Sequence, residues 1–254
     1  MKLPNTNFNP PFNITRASHL IFTARDLGRS REFYTEVLGL IVSDADANTL
    51  WLRGVEEIGH HSLTIKRAKG QPVCERLGMR VFTDEDLDKA KAHFDRAGVK
   101  SAFVEVPYQG RTLHFNDPAG TPIELVATME RRPRMYTKIH QHKGAGALRM
   151  DHYQVLVPDV LANARFYMDL GFRISDYLYV ANGILGPTGT PPGIVQALNR
   201  EFVKLNSSGK IRDTLITASY DPGTISPEQY GAMIDRELAQ WGAIVKETGV
   251  QVKT

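Results

Sequence analysis

A single cysteine, Cys74, stands in the 254 residues, which excludes a disulfide within the chain and fits a reducing compartment. No stretch approaches the ~20 consecutive apolar residues that a membrane-spanning helix needs. The opening MKLPNTNFNPPFNITR has no apolar run of signal-peptide length. Charge of one sign is not in excess: 31 Lys and Arg stand against 28 Asp and Glu, a formal net charge of +3. The densest basic cluster, Arg131, Arg132 and Arg134, is too short for a nucleic-acid footprint. Gly186-Pro187-Thr188-Gly189-Thr190 is glycine-rich but lacks the lysine of a phosphate loop. These absences lead to the expectation of a soluble cytoplasmic protein that engages neither nucleic acid nor membrane.

What the chain does have is a repeat. SHLIFTARDLGRSREFYTEVLGL contains His19, Asp26, Phe33, Tyr34 and Gly39. DHYQVLVPDVLANARFYMDLGFR contains His152, Asp159, Phe166, Tyr167 and Gly171. The first four residues recur at one offset of 133, and only the glycine slips by a residue. A fixed offset across a strand, a cap and a helix marks a duplicated structural unit.

The periodicities give the organisation. Residues 1–17 are rich in Asn and Pro and read as an extended arm. Leu20–Thr23 is an apolar strand, Asp26 an N-cap, and Phe33, Tyr34, Val37 and Leu38 a helix face closed by Gly39. Strands follow at Ile41–Ser43, Thr49–Arg53 and His61–Lys66. The cycle restarts with a strand at Gly78–Phe82. A helix then runs from Thr83 to Gly98 with Leu87, Ala90, Phe94 and Ala97 on one side. Strands at Ala102–Val106, Thr112–Phe115 and Pro122–Ala127 complete it, the last two joined by the turn Asn116-Asp117-Pro118-Ala119-Gly120. The expected fold class is therefore α+β: tandem βαβββ units in residues 18–129, a linker over 130–148, and a third unit opening at 149. That third unit has strands expected at Asp151–Val157 and Phe172–Val180. Past Tyr179 the pattern turns helical, with Pro192–Asn206 amphipathic and Ser226-Pro227-Glu228-Gln229 a capping box. Residues 181–254 thus read as a foreign helical tail on a unit cut short at about 180.

Tandem βαβββ units with histidines at strand starts and a glutamate on the last strand resemble the vicinal oxygen chelate superfamily. Residues 18–179 are most similar to its two-domain extradiol dioxygenases, through the two segments above and LRGVEEIGHHSLTI, FNDPAGTPIELV and the ERRPRM linker. The resemblance implies cleavage of a catecholic aromatic by Fe(II), with Mn(II) the other candidate. It places the iron in the C-terminal pair of units, on two histidines and a glutamate, the first of which corresponds to His152. The tail, through GILGPTGTPPGIVQALN and ISPEQYGAMIDRELAQWGAIVKETGV, resembles the C-terminal end of tripartite tricarboxylate transporter receptors. The chain then reads as a chimera.

A facial triad of two imidazoles and a carboxylate leaves one side of the iron open for catecholate and O₂. No histidine follows His152 in this sequence, so ring cleavage is expected to be impaired and no catalytic residue is assigned. The alternative is a catalytically inactive fusion whose first domain is a binding or oligomerisation module, so a homo-oligomer is a second expected partner class. In the first half, the superfamily's four ligand positions fall on His19, His61, a residue near Gly78, and Glu124. They make a second candidate metal set, although N-terminal halves of the resembled enzymes often keep such residues without metal. Strand alternation turns His60 and His61 opposite ways, and which points inward is open at this stage. Tyr34 and Tyr167 read as core. His93, His114, His140 and His142 read as solvated or structural, and Cys74 as a linker residue.

Overall fold

The computed structural model describes residues 4–174, 183–217, 220 and 222–248. The chain divides into two units, Met1–Ser175 and Asp176–Thr254.

The first unit is built on two copies of one plan. In the first copy, β1 (Ile14–Ala24) leads to α1 (Leu27–Glu32), which continues as a π-helical turn over Phe33–Val37. Then come β2 (Ile41–Ala45), β3 (Thr49–Arg53) and β4 (Leu63–Arg67). The second copy holds β5 (Cys74–Val81), α2 (Asp84–Arg96), β6 (Ser101–Val104), β7 (Thr112–Asn116) and β8 (Pro122–Val126). All eight strands form one sheet in the order β2-β3-β4-β1-β5-β8-β7-β6. Read outward from the central antiparallel β1–β5 pair, both halves have the same order, and in each the first strand runs parallel to the last. The duplication seen in the sequence is a duplication of half-sheets.

Local chemistry fixes the helix starts. The Asp26 carboxylate accepts from the Arg29 amide at α1. At α2, Thr83 and Asp86 form a reciprocal capping box, and Asp86 also accepts from the Asn13 amide at 3.0 Å. One face of the sheet is apolar. Leu50, Leu52, Leu63 and Ile65 form one buried cluster. Leu77, Met79, Val81, Leu113, Phe115, Ile123 and Leu125 form another with Leu87, Ala90 and Phe94 of α2. Burying each such side chain contributes roughly 1.5–3 kcal/mol, so α2 is held chiefly by this face.

Several expectations need correction. The arm is not free: Ile14 already pairs with Val81, and Phe12 lies fully buried in the α2 cluster. The linker is not loose. Arg132 donates to Ile58 O, Met135 to Val55 O, and Ala147 to Leu38 O, so residues 131–148 run back along the end of the first half. Gly144 makes that run fit, because a Cβ there would lie 2.2 Å from Val37 O. Cys74 opens β5 instead of sitting in a linker.

The third unit keeps its helix and loses its strand. α3 (Val160–Asp169) starts at Asp159, whose carboxylate accepts from the Ala162 amide at 2.8 Å, as the repeat predicts. Residues 151–157 form no strand. Of the strand expected at Phe172–Val180, Phe172–Ile174 are irregular and residues 175–180 lie outside the described residues, as does the junction near Tyr179. In place of strand pairing, Phe166, Tyr167, Leu170 and Phe172 pack on the α2 cluster, adding a second helix to the apolar face. Asn7 donates to Met168 O and Asp169 O, tying the arm to the end of α3.

The second unit is helical, as the pattern predicts: α4 (Pro192–Ser207), α5 (Gly209–Thr217) and α6 (Pro227–Thr248). The Ser226 capping box is present, with Gln229 N donating to Ser226 Oγ and Ser226 N to Gln229 Oε1. α5 carries too weak an apolar stripe to stand out in the sequence. Among the described residues, no helix is long and apolar enough to cross a membrane.

Candidate functional site

The polar face of the sheet carries the candidate site, and the register of three strands explains its layout. His19 on β1 pairs with Gly78 on β5, and Gly78 pairs with Glu124 on β8. Side chains alternate along each strand, so the three share one face while Leu77, Ile123 and Leu125 occupy the other. Gly78 is needed here: a Cβ on it would lie 2.1 Å from His19 Cε1. The imidazole lies across this bare position and reaches the next strand, where Nε2 stands 2.6 Å from Glu124 Oε1. Both side chains are almost fully buried.

His61 joins them from outside the strand alternation. It lies in the bend before β4, and its ring meets His19 edge-to-face at 5.2 Å. His60, also buried, turns beneath Tyr108, which stacks on it at 3.7 Å. The two neighbours touch through Nδ1 atoms 3.2 Å apart. The question left open by the sequence is thus settled: His61 faces His19.

Two residues not singled out for the site complete it. Gln109 Nε2 donates to Glu124 Oε1 at 2.9 Å and lies 3.2 Å from His19 Nε2 and 3.4 Å from His61 Nε2. His114, read as solvated or structural, lies with Nε2 3.1 Å from Glu124 Oε2. Arg76 adds its charge with Nε 3.8 Å from Glu124 Oε2.

One proton assignment satisfies these contacts except the Gln109 Nε2–His19 Nε2 approach, where two donors meet. His19 Nε2–H and His114 Nε2–H donate to Glu124, while the Gln109 amide donates to Glu124 and to His61 Nε2. His61 Nδ1–H donates to His60, and Thr112 Oγ1 donates to Gln109 Oε1 at 3.0 Å. Burial raises the Glu124 carboxyl, but the bonds from His114, His19 and Gln109 outweigh it and hold the group well below the usual carboxylate range. His61 is pushed down to about 2, first by burial and then by the neighbouring histidines, so it stays neutral. Two buried atoms, His19 Nδ1 and His60 Nε2, have no partner.

His152 lies elsewhere. Its side chain is 85 % exposed, and its contact is with Asp151, Nδ1 to Oδ2 at 3.2 Å. The next residue, Tyr153, is the one that points into the protein. Of the four metal candidates, the structure brings together His19, His61 and Glu124 and leaves His152 outside. A ligand set for iron does not form at His152, where no second imidazole or glutamate stands beside it among the described residues. Among those residues no group of three His, Cys, Asp or Glu side chains is disposed to hold a metal ion. At His19, His61 and Glu124 the donor types suit a divalent cation, but an amide nitrogen stands between them and a direct 2.6 Å hydrogen bond joins two of them.

With paired βαβββ halves and a buried His–Glu centre across β1, β5 and β8, comparison with known proteins becomes decisive. Residues 16–125 match the Glyoxalase/Bleomycin resistance protein/Dioxygenase superfamily. It is this region that resembles that superfamily. The dioxygenase-superfamily region sits within a longer likeness to solved structures. Homoprotocatechuate 2,3-dioxygenase from Brevibacterium fuscum is 31 % identical with a TM-score of 0.62, over 68 % of this chain and 48 % of that one. Its complex with 3,4-dihydroxyphenylacetate aligns with the same score. Metapyrocatechase of Geobacillus stearothermophilus is 23 % identical over 192 residues, 71 % of this chain and 58 % of that protein. The chain thus spans about half the length of these relatives. A different kind of match is Protein BugT of Bordetella pertussis, 29 % identical over 70 residues, 28 % of this chain and 22 % of that protein.

Proposed function

We propose that this chain descends from extradiol ring-cleavage dioxygenases of catecholic aromatics and that ring cleavage is impaired in it. The observation that carries this reading is the placement of His152. The residue that corresponds to an iron ligand faces solvent beside Asp151, with no second imidazole or glutamate positioned to complete a triad among the described residues. One neutral imidazole supplies neither the charge nor the chelation to retain Fe(II) or Mn(II). The lineage itself is supported by the homoprotocatechuate 2,3-dioxygenase and metapyrocatechase matches. The match to Protein BugT supports a chain of two origins, with the helical segment after the third unit drawn from a solute-receptor tail.

What the first unit offers chemically is a buried, polar, hydrogen-bonded centre, with His19 Nδ1 and His60 Nε2 left without partners, on a sheet whose other face is covered by helices. This favours the reading of a retained binding or oligomerisation module acting in the cytoplasm. The test is direct. The full chain, supplied with Fe(II) under air, is mixed with catechol or 3,4-dihydroxyphenylacetate, and the yellow ring-fission product is followed by absorbance. No product above the iron-only control is expected. Product formation that disappears in His152→Ala overturns the reading.

A further inference from the structure

The geometry points to Gln109 as an internal substitute for a metal ion: its amide nitrogen fills the centre formed by His19, His61 and Glu124 and keeps that centre closed to divalent cations. Ring cleavage plays no part in this inference, which concerns the first unit alone.

Three distances place the amide there. Gln109 Nε2 lies 2.9 Å from Glu124 Oε1, 3.2 Å from His19 Nε2 and 3.4 Å from His61 Nε2. Two imidazoles and a carboxylate surround one point with the donor types a borderline cation takes, though as they stand they are not disposed to hold an ion. Here that point holds a hydrogen-bond donor with a partial positive charge. The amide is oriented by its other end, where Thr112 Oγ1 donates to Gln109 Oε1 at 3.0 Å. Turning it over would set Oε1 against the Glu124 carboxylate.

The backbone that delivers Gln109 is itself unusual. Tyr108 has φ of +65°, the left-handed conformation that side chains other than glycine rarely adopt. Its ring stacks on His60 at 7° and 3.7 Å and meets Trp51 edge-to-face at 5.2 Å. Its hydroxyl donates to Asp44. Glu130 N donates to Tyr108 O and Gly110 N to Thr128 O, pinning the loop from both sides. A strained residue held by ring stacking, one hydroxyl bond and two backbone bonds forces its neighbour into the centre. Such over-determined strain is characteristic of a positioned group.

A cation entering this centre must displace the Gln109 amide and take the proton that His19 Nε2 shares with Glu124. Removing the amide removes the first obstacle. The experiment titrates the full chain with Co(II), following the visible ligand-field absorption and bound cobalt after desalting. Wild type, Gln109→Ala, Gln109→Asn and the double variant Q109A/H19A are compared. Gln109→Asn keeps an amide on a side chain one methylene shorter, which guards against misfolding of the alanine variant. The expected result is about 10- to 100-fold tighter Co(II) binding by Q109A or Q109N than by wild type, the range set by the loss of one or two buried hydrogen bonds. That gain is lost in Q109A/H19A. Wild type binding cobalt as tightly as folded Q109A or Q109N overturns the proposal, and so does a gain that survives removal of His19. Failure of folded Q109A and Q109N alike to bind cobalt also overturns it.

Discussion

At Gly78 the absence of a side chain holds the centre together, because the His19 ring lies where any Cβ would stand. Gly78→Ala therefore has two effects. Overpacking of this kind costs about 1–3 kcal/mol, and the displaced imidazole leaves Glu124 short of a donor in a buried position. We expect a loss of about 2–4 kcal/mol in urea unfolding at neutral pH; an unchanged midpoint would show that the ring has room to move. His114→Ala removes a different donor to Glu124 and is expected to cost about 1–3 kcal/mol in the same measurement. Part of this centre was legible in the residue pattern. His19 and Glu124 were expected from the superfamily resemblance, which puts ligands on the first and last strands of paired units. His114 was also within reach, because Asp117 accepts from Ala119 N and Thr121 N, fixing the turn that sets His114 opposite Glu124. Its alternation was noted, but its register was not followed across the turn. Gln109 left no signal, since its position depends on a left-handed Tyr108 in a loop, which no periodicity encodes.

Among the elements, β1 is the one that joins the halves, and it does so with an irregularity. Its register against β5 shifts between Ala17 and His19, leaving the Ser18 amide outside the ladder. Tyr153, from the third unit, supplies the missing partner: Ser18 N donates to Tyr153 Oη at 2.9 Å, and the hydroxyl donates to Gly78 O. The segment expected as a strand thus contributes one anchored side chain in place of a ladder, and its alternation turns His152 outward. Tyr153→Phe is expected to cost about 1–3 kcal/mol, since the Ser18 amide and Gly78 carbonyl lose a buried partner. The pH dependence gives a second signature. Burial raises the Tyr153 hydroxyl to about 12, outweighing the backbone hydrogen bonds, which lower it. A raised folded-state value means that the stabilisation is complete below about pH 10 and falls as the unfolded chain ionises above it. The stability gap between wild type and Tyr153→Phe should narrow by about 1.4 kcal/mol per pH unit between pH 10 and 12. A constant gap across that range would remove the hydroxyl from this role.

On the scale of the whole chain, the division falls at Ser175, close to the edge near residue 180 that the sequence pattern places before the helical tail. The sequence pattern also places a domain edge near residue 129, because the repeat closes there and a polar linker follows. Packing nonetheless joins the third unit's helix to the first two copies. The apolar face behind β5, β8 and β7 is wider than α2 alone covers, and Phe166, Tyr167, Leu170 and Phe172 lie on the remainder. Tyr167 also donates to Asp117 at 3.0 Å, so α3 braces the same turn that sets the β7–β8 register. The backbone bonds between residues 131–148 and residues 37–58 tie down the linker, whose side chains stay largely exposed, so that its backbone resists the extended conformation a protease needs. In the second unit, by contrast, no residue of α4 or α5 is buried, and Leu198, Phe202 and Leu205 of α4 stay accessible. Helices without a buried face open at low free energy and are cut first. Limited trypsin digestion of the full chain should therefore leave a resistant fragment that extends past residue 165, with its N-terminus within the first sixteen residues. A stable fragment ending near residue 131 would show instead that α3 contributes nothing to the fold of the superfamily region.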